Sequence, residues 1–157
     1  MLFRSDPVHR AIGLSHSGWR GTVGNIGGAT VKRMAQEYGS RPEDIITVIG
    51  PSICQDCYEV SEDVIIEFQK VFLADESSET DCGYPDGMEK ILYTKKENGK
   101  YQLNLWNACY YTLRKAGVLD EHIEVTDICT CCNPQYLFSH RASQGKRGNL
   151  GAFLMIK

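Results

Sequence analysis

The sequence predicts an α+β fold. Helical and strand periodicities are mixed along the chain, and an Asn-Gly turn joins two strand-like segments into a hairpin. The 157 residues suffice for one domain with a real core and are few for two, so residues 1–157 are read as a single domain. Apolar residues make up 42% and charged residues 24%, the balance of a soluble globular chain.

Ala11–Ser15 is a short apolar run read as a strand, entered through the turn at Asp6-Pro7. A Gly-rich stretch from His16 to Thr22 follows. The helix beginning near Val23 or Gly24 carries Val31, Met34, Ala35 and Tyr38 at i, i+3, i+4 and i+7, and Gly39 is its stop. Residues 45–49 are β-branched and bounded by Pro42 and Gly50-Pro51, the pattern of a buried strand. Ser61 is placed to cap a second helix, with Glu62 and Asp63 in its first turn and an apolar face of Val64, Phe68, Val71 and Phe72. Residues 74–87 are acidic and polar and read as a surface loop. Residues 91–94 and 100–103 flank Glu97-Asn98-Gly99 and form the predicted hairpin. Asn104 caps a third helix with the face Leu105, Ala108, Cys109 and Thr112, which stops at Gly117. Strands are expected at residues 123–128 and 136–139. A basic loop at 141–148 then leads to a last strand at 150–156.

Composition narrows the function classes. No apolar run reaches the eighteen residues of a membrane span, and residues 1–10 lack the pattern of a secretory signal. A formal net charge of −3 supplies no global field for nucleic acid or an anionic membrane surface. The seven cysteines are odd in number and follow no export signal, so reduced thiols and a cytoplasmic location are expected.

Three segments can carry chemistry. In the first, His16-Ser-Gly-Trp-Arg-Gly21, a histidine ends a strand where glycines turn the chain toward a helix. His16 there suits a metal ligand or a general base, and Arg20 supplies a fixed cationic fork for phosphate or carboxylate. The plain alternative is a histidine that closes a strand and a Trp19 that packs on the core. The second is the cysteine set. Cys54-Gln-Asp-Cys57 is a CxxC, whereas Cys129-Thr-Cys131-Cys132 is not read as a clean second pair, and about seventy residues separate them. Buried or incidental thiols are the expectation, with a closed zinc tetrahedron and a redox dithiol as alternatives. The third is Phe138-Ser-His140-Arg141 with the basic loop through Lys146 and Arg147. It can hold a phosphate or stand as a solvated basic loop.

Read in order, these segments resemble the YfiH/YlmD family, the laccase-domain proteins. The first resembles the family's HAGWRG motif. Ile49-Gly-Pro-Ser-Ile-Cys-Gln-Asp-Cys-Tyr-Glu-Val60 resembles IGPxIGxxxYEV, and Tyr101-Gln-Leu-Asn-Leu-Trp106 resembles the start of DLWxAN. Ile128-Cys-Thr130 with Leu137-Phe-Ser-His-Arg141 and Gly145-Lys-Arg147 resembles CT…FFSYRRxxxTGR. The resemblance covers essentially the whole chain. It implies a layered α/β/β/α sandwich of mixed sheets, incomplete at the N-terminus.

It further implies zinc-dependent phosphorolysis of adenosine, inosine and methylthioadenosine, together with adenosine deamination. Members also go under the names polyphenol oxidase and peptidoglycan editing factor. The family zinc is held by a His of QVHG, a Cys of ADC and the His of HAGWRG, and only the last maps here, onto His16. The chain is therefore expected to be an N-terminally truncated member with impaired activity. Asn104, where the family often has Asp, is a milder departure. Trp19, Arg20, Arg141 and Arg147 are the substrate-binding candidates, with purine nucleoside and phosphate as partners. A sheet edge left open by truncation would favour association of copies. The rivals are a non-catalytic module, a cysteine-based zinc domain and, less favoured, a copper polyphenol oxidase. For that last reading the four histidines include no His-x-His pair.

Overall fold

A computed structural model describes residues 1–73, 85, 87–146 and 148–157. The chain opens with β1 (Leu2–Asp6) and β2 (Ala11–Ser15), followed by α1 (Trp19–Val23), α2 (Ile26–Tyr38) and β3 (Ile46–Ile49). Then come β4 (Glu59–Val60), α3 (Glu62–Phe72), α4 (Met88–Leu92), β5 (Tyr93–Lys95), β6 (Tyr101–Leu103), α5 (Leu105–Lys115) and β7 (Ile123–Val125). The described residues thus form an α+β structure, as the mixed periodicities predict.

One sheet is mixed, in the order β2-β1-β3-β7. β1 runs antiparallel to both β2 and β3, with Leu2 opposite Ser15 and Ile49, while β3 and β7 run parallel. The other sheet, β4-β6-β5, is antiparallel, and Gly99 makes its hairpin turn at φ 76°. α2 packs on β2 and α5, and α5 reaches β3 and β7. A single apolar cluster joins these layers through Leu2, Val31, Ile49, Phe68, Leu103 and Leu113. Burying each such side chain contributes about 2 kcal/mol before entropy is counted.

The helix predicted from about Val23 is divided. Asn25, left-handed at φ 54°, cannot continue α1, and its side chain accepts the Gly28 N–H at 3.1 Å to open α2. Gly39 ends α2 in the left-handed region at φ 71°, as expected. Gly27 lets α2 approach its neighbours: a Cβ there would meet Thr112 Oγ1 at 3.2 Å. Asn104 caps α5 by accepting the Asn107 N–H. Ser61 precedes α3 but donates to Asp63 instead of accepting from the helix backbone.

Other expectations need correction. Ile91 and Leu92 belong to α4, so the hairpin's first strand starts at Tyr93. The strand expected at 123–128 stops at Val125, because Asp127 turns left-handed at φ 53°. Residues 136–139 form no strand: Leu137 N–H donates to Asn133 O and Asn133 Nδ2 to Cys129 O, which curls the chain before them. Residues 150–156 have strand-like composition but find no ladder partner among the described residues, and Phe153 stays 92% exposed. Composition sets a strand's propensity, whereas pairing makes the strand. Of the expected acidic loop, residues 74–84 and 86 lie outside the described residues, as does Arg147.

Candidate functional site

β2 ends at Ser15 and delivers His16 to a cavity of about 780 Å³. The first and third segments singled out in the sequence meet there, joined by residues that neighbour the cysteine set and not by the cysteines themselves. His16, Trp19 and Arg20 come from the β2–α1 turn, Ser52 and Tyr58 from the chain after β3, and Phe138, His140 and Arg141 from the C-terminal segment. The β2–α1 turn is held from behind. Ser17 Oγ and Thr22 Oγ1 are 2.9 Å apart, Thr22 Oγ1 donates to Gly18 O at 3.0 Å, and the buried Cys109 lies against both hydroxyls. Burial raises the Cys109 thiol, which leaves it a neutral partner to those hydroxyls.

The lining is cationic in a chain of net charge −3: two arginines and two histidines face the cavity, with no carboxylate among the described residues that line it. The Arg20 guanidinium stacks 4.2 Å from the Trp19 ring centre. Arg141 Nη1 donates to Glu59 O at 2.8 Å, which anchors the C-terminal segment to β4, and its guanidinium lies 5.7 Å from the Tyr58 ring. Burial raises the Tyr58 hydroxyl, and the charges of Arg141 and Arg20 pull against it. Tyr58 is thus a neutral phenol that feels both guanidinium charges.

The other wall is fixed by α5 and β7. Trp106 Nε1 donates to Ser52 Oγ at 2.6 Å, and Thr130 N–H donates to Ser52 O at 3.0 Å. This Ser52–Cys129 bridge extends the parallel β3–β7 pairing into the cavity wall.

Directly behind that wall lie the cysteines. The sulfurs of Cys54, Cys57, Cys129 and Cys132 are all within 4.8 Å of one another. The sequence reading of incidental thiols did not anticipate that four of them lie together. The second pair is Cys129-x-x-Cys132, with Cys131 outside the quartet, so the chain carries two CxxC pairs; the missed signal was the spacing from Cys129 to Cys132 with Cys131 ignored. The backbone N–H groups of Cys54 and Cys132 donate to Cys129 Sγ at 3.3 and 3.4 Å. Burial acts to raise the Cys129 thiol, but those donors outweigh it and bring it down to about 7. Burial and the neighbouring thiols of Cys132 and Cys54 push Cys57 the other way.

His16 joins no comparable group. Among the described residues, the cysteine quartet is the set of three or more metal donors that lies close enough to share an ion. No helix among them is long and apolar enough to cross a membrane.

Comparison with known proteins places the chain in a family. Residues 1–157 match the profile of the family described as multi-copper polyphenol oxidoreductase laccase. The chain is 33% identical to purine nucleoside phosphorylase YlmD of Bacillus subtilis, over 99% of its own length and 51% of that protein. It is 33% identical to adenosine deaminase RL5 of an unknown prokaryotic organism, over 83% of this chain and 44% of that one. The crystal structure of YlmD from Geobacillus stearothermophilus superposes with a TM-score of 0.79 at 32% identity, covering 94% of this chain and 50% of that one. The chain thus spans about half the length of the relatives it matches.

Proposed function

The chain belongs to the multi-copper polyphenol oxidoreductase laccase family, and from that premise we propose that its cavity is part of the substrate site of a zinc-dependent purine nucleoside phosphorylase that also deaminates adenosine. The observation that carries this reading is the convergence of His16, Trp19, Arg20, Tyr58, Phe138 and Arg141 on one cavity with no carboxylate among its described lining residues. The names of relatives support the reaction class, one a purine nucleoside phosphorylase and another an adenosine deaminase.

The proposed roles follow from the side chains. Trp19, Tyr58 and Phe138 offer aromatic faces to a purine. Arg20 and Arg141 balance the charge of a phosphate held against the ribose, and Arg147 is assigned the same task from its sequence position. In phosphorolysis a phosphate oxygen bonds to the anomeric carbon as the glycosidic bond breaks, and its electron pair leaves with the purine, which takes up a proton. Fixed cations lower the barrier by holding phosphate in line and dispersing its charge.

The family's zinc is a separate matter. A catalytic zinc takes about three protein ligands and one open position, and His16 has no two further donors beside it among the described residues. These residues do not complete that centre. His16 is proposed as a single contributing ligand. The histidine content, four in the whole chain, gives a multi-copper oxidase no comparable support.

Isothermal titration of inorganic phosphate into the protein and its Arg20→Ala variant tests the proposal. Weakening by about tenfold, which is about 1.4 kcal/mol, is expected. Unchanged affinity removes Arg20 from the phosphate site. Release of free base from inosine with phosphate present, followed by chromatography, tests the reaction itself.

A further inference from the structure

Beyond Val125 the chain is held by a few hydrogen bonds, among them Thr126 N–H to Ile49 O, Thr130 N–H to Ser52 O and Arg141 to Glu59 O, and by little apolar burial. Of the described residues from 126 onward, only Cys129 and Ser139 are buried, and none lies in a helix or a named strand. Yet this segment carries Phe138, His140 and Arg141 to the cavity. Tyr136 and Phe153 are left exposed, so apolar burial does not hold it. Ordering each such residue still costs backbone entropy.

The cysteine quartet lies where this segment meets the rest of the molecule. Cys54 and Cys57 flank a turn of 3₁₀ helix after β3, and Cys129 and Cys132 open the irregular segment. Each pair adjoins the cavity: Ile53 and Tyr58 beside the first, Thr130 beside the second. The 3₁₀ turn is itself braced, because Asn104 Nδ2 donates to Gln55 Oε1 and Gln55 Nε2 to Gln102 O.

We propose that Cys54, Cys57, Cys129 and Cys132 bind one zinc ion as a closed tetrathiolate site that clamps the C-terminal segment against the cavity. Zinc–sulfur bonds of about 2.3 Å in a tetrahedron place sulfurs about 3.8 Å apart. The four sulfurs already lie within 4.8 Å of one another, and Cys57 and Cys132 are 3.5 Å apart. Small side-chain rotations therefore suffice to close the site. The two backbone N–H groups on Cys129 Sγ are second-layer donors that a coordinated thiolate can use. On binding, each thiol loses its proton to solvent. Four thiolates around one divalent cation leave a net charge of −2, with no redox change and no open position for substrate. The role is structural and independent of the nucleoside reading. Zinc found here leaves that reading open, and failure of nucleoside binding leaves this site standing.

The test loads reduced protein with zinc, desalts it and measures bound metal by mass spectrometry. His16→Ala is expected to keep one zinc per chain through desalting, and the double variant Cys57→Ser, Cys132→Ser to lose it. Because the double variant can fail to fold, cobalt is titrated into His16→Ala as well. The intense charge-transfer and visible bands of tetrahedral thiolate cobalt are expected, and zinc should abolish them. Chelation is expected to speed limited proteolysis within residues 126–157 before cleavage elsewhere. Zinc retained in the folded double-serine variant overturns the proposal, as does the absence of cobalt–thiolate bands. A Cys57–Cys132 disulfide in freshly purified protein, found by peptide mapping, also overturns it.

Discussion

The indole N–H of Trp106 donates to the Ser52 hydroxyl at 2.6 Å, and so ties the first turn of α5 to the strip of chain that walls the cavity. Ser52 in turn passes its carbonyl to Thr130 N–H. Trp106→Phe keeps most of the aromatic bulk and removes the donor. A loss of about 1 kcal/mol in urea unfolding is expected, together with weaker nucleoside binding, because one wall is freed. Equal binding by both proteins would show that this wall is held without the indole.

Arg4 is 1% exposed, with no carboxylate partner among the described residues. Its guanidinium donates to Ser15 Oγ and Gly27 O at 3.1 Å, pinning β1 to β2 and to the start of α2. Burial lowers its pKa to about 10, so it is still charged at neutral pH. Arg4→Ala leaves a cavity and two unpaired acceptors, and about 3 kcal/mol of stability should be lost. Arg4→Met fills the volume and buries no charge, so it should cost distinctly less. Urea midpoints of the two variants decide the comparison.

Arg141 holds Glu59 O while facing the cavity. A lysine keeps the charge but not the planar fork. Arg141→Lys is expected to weaken phosphate binding several-fold and Arg141→Ala more. Titration calorimetry on both variants measures the difference.

Glu59 sets a pH dependence. Hydrogen bonds from Lys96 and Lys100, with their charges, lower its carboxyl to about 2. Its unfolded value is about 4.3. The folded pKa is the lower one, so the stabilisation is complete above about 4.3 and is lost as pH falls through about 2. Glu59→Gln should flatten the decline in stability across that window. Added salt should shrink the difference, since the half-buried carboxylate still meets solvent. Denaturation curves at several pH values check both effects.

Asn104 caps α5 through Asn107 N–H and also donates to Gln55. Asn104→Ala should cost about 1 kcal/mol. Asn104→Asp should be nearly neutral, because the carboxylate gains with the helix N-terminus what it loses at Gln55. Thermal unfolding resolves the two.

Much of the fold was legible in the sequence. The apolar spacing of α2, α3 and α5, the stop at Gly39, the cap at Asn104 and the Asn-Gly hairpin are local in origin, and the structure keeps them, except that Tyr38 of the expected α2 face stands exposed. The ordered motifs likewise pointed to the family that the comparisons identify. β1 was harder to read. Its buried face is Leu2, Arg4 and Asp6, so two of its three inward residues are charged, and alternation could not mark it.

His16, Arg20 and Arg141 became candidates from residue type and motif, because a side chain's donors and charge belong to it alone. That these residues share one cavity with Tyr58, and that four cysteines about seventy positions apart lie within 4.8 Å, was settled by tertiary structure. The same holds for the tail at 150–156, which has strand composition without a strand. Sequence carries propensity, whereas proximity depends on which strands pair and which turns close. Those choices are made by non-local contacts that no short window contains.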